Sequence, residues 1–572
     1  MYDFINRIDL QKIKSNDEIK NKNLEEYVNR YLFNLYGRVL KLCYQHNKMF
    51  DVTRIQQEYF GANLIVPIVD SSDKINELEK NVLSKLPIEG NCELNRKEDK
   101  IAVINFMLQE YKHMLKKELV QCNKEDLFII FYMISSMLSY ISMNSAYLFK
   151  YKATDAEKKD INISNLIVDS IGLIYHEAEL EIGNMLGAEK KSCEYLVSFI
   201  LNEYVDDFEH KGNKLNIDNI FLITNKIVET LAIKKSLSNL YHYGTKLNIE
   251  ENNLRVSDDF NDKLKLYFDN VYTSNIDISS PEVDAILMEF ERKEGYSIKI
   301  LEDYVNKLHD KNLIIECAGN IVENKFLYHD ICKSTGASIE STYRVVQAIS
   351  LRKSEEHMDH NIFSTDNRIF RTPIVKIGNH FLLSHNLLVE AAHYLRYRIL
   401  KSELSKDAGV KDKIEKLYDE KELNDLLLLI KKYGITGDIN FKFEDFSELK
   451  TLFKGGGITK EIDFYFIFNK TLYIMEYKNQ DIDRNVYDVC KTYSRNEGYL
   501  KKHLRMVDIV KKNKSLMEDF LGKKFDNLKS FLVFKYRNSF PDFYKGNDVF
   551  CCSYKEFYDR CKELMESHKY NI

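Results

Sequence analysis

Asp463, Glu476 and Lys478 have the types and spacing of a site for a hard cation. They lie in Glu461-Ile-Asp-Phe-Tyr-Phe-Ile-Phe-Asn469, Lys470 and Thr471-Leu-Tyr-Ile-Met-Glu-Tyr-Lys-Asn479, which reads as two short strands joined by a tight turn at Asn469–Lys470. Side chains alternate across a strand. Ile462, Phe464, Phe466 and Phe468 therefore share one face of the first strand, with Asp463 on the other. Leu472, Ile474, Glu476 and Lys478 share a face of the second. Burying such charges without partners costs on the order of several kcal/mol, so an apolar strand that ends in Glu-x-Lys is not serving a core alone. The economical account is that Asp463 and Glu476 hold a divalent cation, with Lys478 beside it. A plain salt bridge from Lys478 to Glu476 is the rival account, and it leaves Asp463 unexplained.

An Asp on one strand, a hairpin turn and Glu476-Tyr477-Lys478 at the end of the next strand resemble the PD-(D/E)XK nuclease superfamily, over roughly residues 405–570. Ile462 stands where that superfamily often has Pro. The surrounding elements read in the same order. A helix over 410–433 turns at 434–438 into a strand at 439–443, and the Gly455-Gly456-Gly457 loop precedes the two motif strands. A long helix over 484–511, strands at 531–536 and 549–553 and a closing helix at 555–567 complete an α/β domain with a mixed sheet. The resemblance implies phosphodiester hydrolysis with Mg²⁺ or Mn²⁺. Asp463 and Glu476 are then ligands, the Tyr477 carbonyl is a third, and Glu415 is the further acid contributed by the preceding helix. Glu461, on the face of Asp463, is its substitute. Lys478 orients or deprotonates the attacking water and stabilises developing charge. It also implies a DNA endonuclease of bacterial or phage restriction or defence type. The alternatives are a nucleic-acid-binding regulator, or a protein-interaction subunit, with a non-catalytic nuclease-like fold.

The helix after the motif is the expected nucleic-acid contact. Residues 484–537 hold 14 Lys/Arg against 6 Asp/Glu in a chain of net charge −5. Lys491, Arg495, Lys501, Lys502 and Arg505 fall along one side, interleaved with Tyr487, Tyr493 and Tyr499. Such a patch neutralises phosphates without reading sequence; a solvated basic face is the bland reading.

A chain of 572 residues exceeds a single core, and the reading divides it three ways. Residues 1–254 form a helical domain, 255–404 a helical, winged-helix-like middle region with a β-hairpin, and 405–572 the nuclease-like domain. Candidate helices of the first run over 23–43, 96–118, 124–151, 163–186, 191–204 and 219–241, with no proline between Pro87 and Pro281. The uncharged run Leu127–Phe149 is long enough to span a bilayer, but its serines mark a central bundle helix. His176-Glu177-Ala-Glu179 lacks a second His at position 180, and His357-Met-Asp359-His360 sits in a polar connection, so neither reads as a metal site. Ser280-Pro281 reads as a helix start. Asp330–Val345, with Gly336 at a turn, resembles a helix-turn-helix in which Ser341, Thr342 and Arg344 face a major groove; a corner that touches no DNA is the competing reading. A hairpin over 370–384, turning at Gly378-Asn379, and a helix over 386–403 follow. The ten cysteines form no Cys-x-x-Cys pair, so a reducing cytoplasm without membrane attachment is expected. A regulatory partner on the helical region and homo-oligomers are compatible with this layout.

Overall fold

The computed structural model describes residues 72–86, 91–120, 122–150, 175–204, 215–239, 247–256, 281–310, 319–353, 367–400, 407–415, 420–454, 457–480, 486–544 and 546–569, with Tyr267, Asp359, Leu404, Ser405 and Asp483. These are mostly helical, with two three-stranded sheets and one five-stranded mixed sheet in the C-terminal part. The expected helix over 23–43, His357, His360 and the side chains of His176, Glu177 and Glu179 lie outside the described residues. Asp359 pairs with Lys112 at 2.7 Å.

Contacts divide the chain into two compact units where the sequence suggests three. One gathers Met1–Ile88, Ile104–Leu231 and Phe290–Ile399; the other gathers Glu89–Val103, Ala232–Glu289 and Leu400–Ile572. In the first, the helix Lys124–Lys150 packs on Tyr175–Asn202. Its buried serines Ser135, Ser136 and Ser139 all have partners. Ser135 donates to the Phe131 carbonyl at 2.6 Å, Ser136 meets Ser384 at 2.6 Å, and Ser139 donates to Glu390 at 2.6 Å. The serine stripe is thus interior structure. Among the described residues no helix is long and apolar enough to cross a membrane. Buried Glu194 lies 2.6 Å from Lys191 and 3.2 Å from Arg368.

The same unit holds the helix Lys299–Asp310, strand Gly319–Glu323, helices Asn324–Thr335 and Ile339–Ala348, and a hairpin of Val375–Ile377 and His380–Ser384. The strand 380–384 is central and antiparallel to both others, the element order of a winged helix. Gly336 makes the turn at φ 72°, and Ser338 caps the following helix by accepting from the Ser341 N–H. The face expected to meet DNA is engaged elsewhere. Thr342 is fully buried with Val345 and Val346, because these positions share the helix face that meets the core. Ser341 donates to the Gly295 carbonyl at 3.1 Å. Arg344 donates to the Glu294 carbonyl at 2.7 Å and to Glu340 at 2.8 Å.

In the second unit α1 is Lys421–Lys432, β1 Thr436–Lys442, β2 Glu461–Phe468, β3 Thr471–Lys478, α2 Val486–Lys512, α3 Lys514–Leu521, β4 Asn527–Phe534, β5 Phe550–Ser553 and α4 Tyr554–Lys569. The sheet runs in the order β1-β2-β3-β4-β5. β1, β2 and β3 form an antiparallel meander, and β4 and β5 continue parallel to β3. Asn469 and Lys470, at φ 46° and 56°, make the two-residue turn whose twist suits a hairpin. Leu426, Ile430, Phe557 and Cys561 from α1 and α4 pack on Phe464, Phe466, Met475 and Val533. Tyr465, Ile467, Leu472 and Ile474 face Met506, Val507 and Met517 of α2 and α3 on the opposite side. The sheet is a filling between two helical layers. Of the helix expected over 410–433, Ala408–Glu415 and α1 are helical, and residues 416–419 lie outside the described residues.

Candidate active site

The alternation that places Asp463 slips by one residue at that position. Phe464, Phe466 and Phe468 pack toward α1, whereas Ile462 joins the α2 side, contrary to a single four-residue face. The β1–β2 register pairs Ile439 with Phe464 and Phe441 with Ile462, skipping Asn440 and Asp463 between them. Asn440 sits at φ 54°, a conformation in which Asn is several-fold enriched. Opposite it the β2–β3 ladder ends at the Phe464–Met475 pair. Asp463 then replaces the missing rung, its Oδ2 accepting the Tyr477 N–H at 2.6 Å.

This brings Asp463 together with Glu476 and Lys478 on the α2 side. Lys478 Nζ donates to Glu476 Oε1 at 2.6 Å and lies 5.3 Å from the centre of the Tyr499 ring on α2. Glu476 is buried, and its Oε2 has no hydrogen-bond partner. Burial first, and the Glu476 charge second, hold the half-buried Asp463 carboxyl well above the usual carboxylate range, with Lys478 opposing. Burial likewise raises Glu476 against the pull of Lys478. Burial draws Lys478 down, but Glu476 and Asp463 outweigh it, so the ammonium is held above its ordinary value. Glu461 is half-buried and close enough for its charge to act on both carboxylates. The Tyr477 hydroxyl donates to Glu422 on the other face of the sheet, leaving its backbone as the part that meets this site. Glu415 ends the helix Ala408–Glu415, and its side chain lies outside the described residues.

Sequence reasoning missed the polar groups beneath this cluster. His503 of α2 is fully buried, its Nε2 2.6 Å from Ser530 Oγ and its Nδ1 3.9 Å from Glu476 Oε2. Burial, with Lys478 second, lowers its pKa to about 3, so the ring is neutral. Gln480 donates to Asn496 at 2.6 Å and accepts from Asn538 at 3.3 Å, all three buried. Asp483 accepts both the amide and the hydroxyl of Ser539, at 2.9 and 2.6 Å, and burial still raises it to about 6. The available signal was periodic. Asn496 and His503 are seven residues apart on the helix face that otherwise carries Val489, Leu500 and Val507.

Lys491, Arg495, Lys501, Lys502 and Arg505 are all exposed along α2. Lys501 pairs with Glu497 at 3.3 Å, and Arg505 reaches the Gly457 carbonyl at 3.4 Å. Lys502 is near enough for its charge to oppose the rise at Glu476, linking the basic face to the carboxylates. The tyrosines do not interleave at the surface: Tyr493 is buried, Tyr499 lies beside Lys478, and the side chain of Tyr487 is outside the described residues.

Two crowded carboxylates, Asp463 and Glu476, on one side of the sheet form a hard-oxygen donor set that fits a dication. Among the described residues no three His, Cys, Asp or Glu side chains form a ready cluster, but Mg²⁺ is held by one or two carboxylates and otherwise by waters. Comparisons with protein-family models, curated proteins and solved structures find no match.

Proposed function

We propose that the chain is a metal-dependent nuclease that hydrolyses phosphodiester bonds, with DNA as substrate, and that it serves a bacterial or phage restriction or defence role. The observation that carries this reading is the convergence of Asp463, Glu476 and Lys478 on one side of a five-stranded mixed sheet. The basic face of α2 supports it, running beside the same carboxylates.

Asp463, Glu476 and the Tyr477 carbonyl would hold Mg²⁺ or Mn²⁺. Such a cation polarises a phosphoryl oxygen and acidifies water. Lys478 donates protons in hydrogen bonds to the charge that develops on phosphate. It orients or deprotonates the attacking water as well; Glu476 and Asp463, which hold its ammonium above the ordinary value in the metal-free site, are the same groups a cation would neutralise. Lys491, Arg495 and Lys502 neutralise flanking phosphates, which sets position without base reading.

Plasmid and single-strand cleavage assays with Mg²⁺ or Mn²⁺ test the proposal. Asp463→Ala and Lys478→Ala are each expected to lose about a hundredfold or more in rate, the scale for removing one group that meets transition-state charge. Undiminished cleavage in both variants overturns it. The binding-regulator reading requires metal-independent DNA binding that survives both changes and fails in Arg344→Ala; the bonds of Arg344 to Glu294 and Glu340 disfavour that outcome.

A further inference from the structure

Two buried polar atoms confront each other behind the carboxylates. Glu476 Oε2 and His503 Nδ1 both lack a hydrogen-bond partner, and they stand 3.9 Å apart. Glu476 is 5% exposed and His503 0%. An unpaired polar atom at this depth costs about 1–3 kcal/mol, and here two occur side by side, each able to answer the other. The far nitrogen of the ring decides how. Nε2 lies 2.6 Å from Ser530 Oγ, and a serine hydroxyl both donates and accepts. When Ser530 donates to Nε2, the single ring proton of a neutral imidazole is on Nδ1, the nitrogen 3.9 Å from Glu476 Oε2. The opposite tautomer would set a lone pair against a carboxylate oxygen.

We propose that His503 is a positioning residue for Glu476: its Nδ1–H holds the Oε2 side of the carboxylate, and Ser530 fixes the tautomer from behind. The outer oxygen, Oε1, is left with Lys478. The 3.9 Å separation must shorten to about 3 Å for this bond to form; once made, it restrains rotation of the carboxylate and keeps the other oxygen aimed. The role in metal binding rests on reading Glu476 as a cation ligand; the His503–Glu476 contact itself does not.

The test uses the full chain with ¹⁵N-labelled histidine. His503 is assigned among the 14 histidines by the resonance lost in His503→Asn, and its tautomer is read in metal-free protein. Protonation on Nδ1 is expected; protonation on Nε2 overturns the proposal. Mn²⁺ affinity is then measured by electron paramagnetic resonance. The Asn amide nitrogen falls near Nδ1, so His503→Asn is expected to stay within about threefold of wild type. The Gln amide reaches toward Ser530 instead, so His503→Gln is expected to weaken binding about 10–100-fold, as loss of a partner behind a metal ligand does. Unchanged affinity in His503→Gln overturns the positioning role. Should wild type bind no Mn²⁺, the cation reading of Glu476 fails, while the tautomer still decides the contact.

Discussion

Asp463 and Glu476 are kept close at a cost, because both carboxyls are raised by burial and Asp463 also by its neighbour's charge. A group whose ionised form is disfavoured in the fold destabilises it at neutral pH. Asp463→Asn retains an acceptor for the Tyr477 N–H and removes the charge. It is expected to raise metal-free stability by about 1 kcal/mol, or roughly 2–4 °C in melting temperature, and, under the proposed function, to abolish cleavage. A lower melting temperature would contradict this account of the pair. Glu194 is the opposite case. Burial raises its pKa, but Arg368 and Lys191 prevail and lower it to about 2, against roughly 4.3 in the unfolded chain. Its stabilisation is complete above about pH 4.5 and is lost as pH falls toward the folded value. Urea midpoints should therefore drop more steeply with acid in wild type than in Glu194→Gln.

The slip at Asn440 and Asp463 is how two strands aim one carboxylate. Asn440→Gly keeps the left-handed backbone without strain and should leave stability nearly unchanged. Asn440→Val should cost about 1–3 kcal/mol, read from urea unfolding. The hairpin itself was legible, because alternation and a two-residue polar turn are local properties of β2 and β3. The slip was not, since it arises where β1 meets β2 and nothing in Glu461-Ile-Asp-Phe marks the change of face at Ile462. His503 escaped for a related reason. A polar residue on the buried side of a helix that is basic on the other reads as one more solvated group until the sheet beneath is known. On the helix Ile339–Ala348 the pattern misled, because Thr342 is small and polar yet lies on the face with Val345 and Val346.

A net charge of −5 conceals the local excess on and around α2. If that face carries nucleic acid, duplex affinity should fall steeply with salt, and each of Lys491→Ala, Arg495→Ala and Lys502→Ala should reduce the slope of log affinity against log salt by about one. Fluorescence anisotropy over a salt series checks this; an unchanged slope in all three removes the face from the interface. The domain count was the least legible feature, because boundaries read along the chain at 254 and 404 do not report which distant segments share contacts. Residues 89–103 and 232–289 belong with the unit completed by 400–572. During synthesis these two pieces emerge before residues 400–572, with which they share a unit. Asp463, Glu476 and Lys478 all lie in this last piece, so the candidate site is made after the two earlier segments of its own unit.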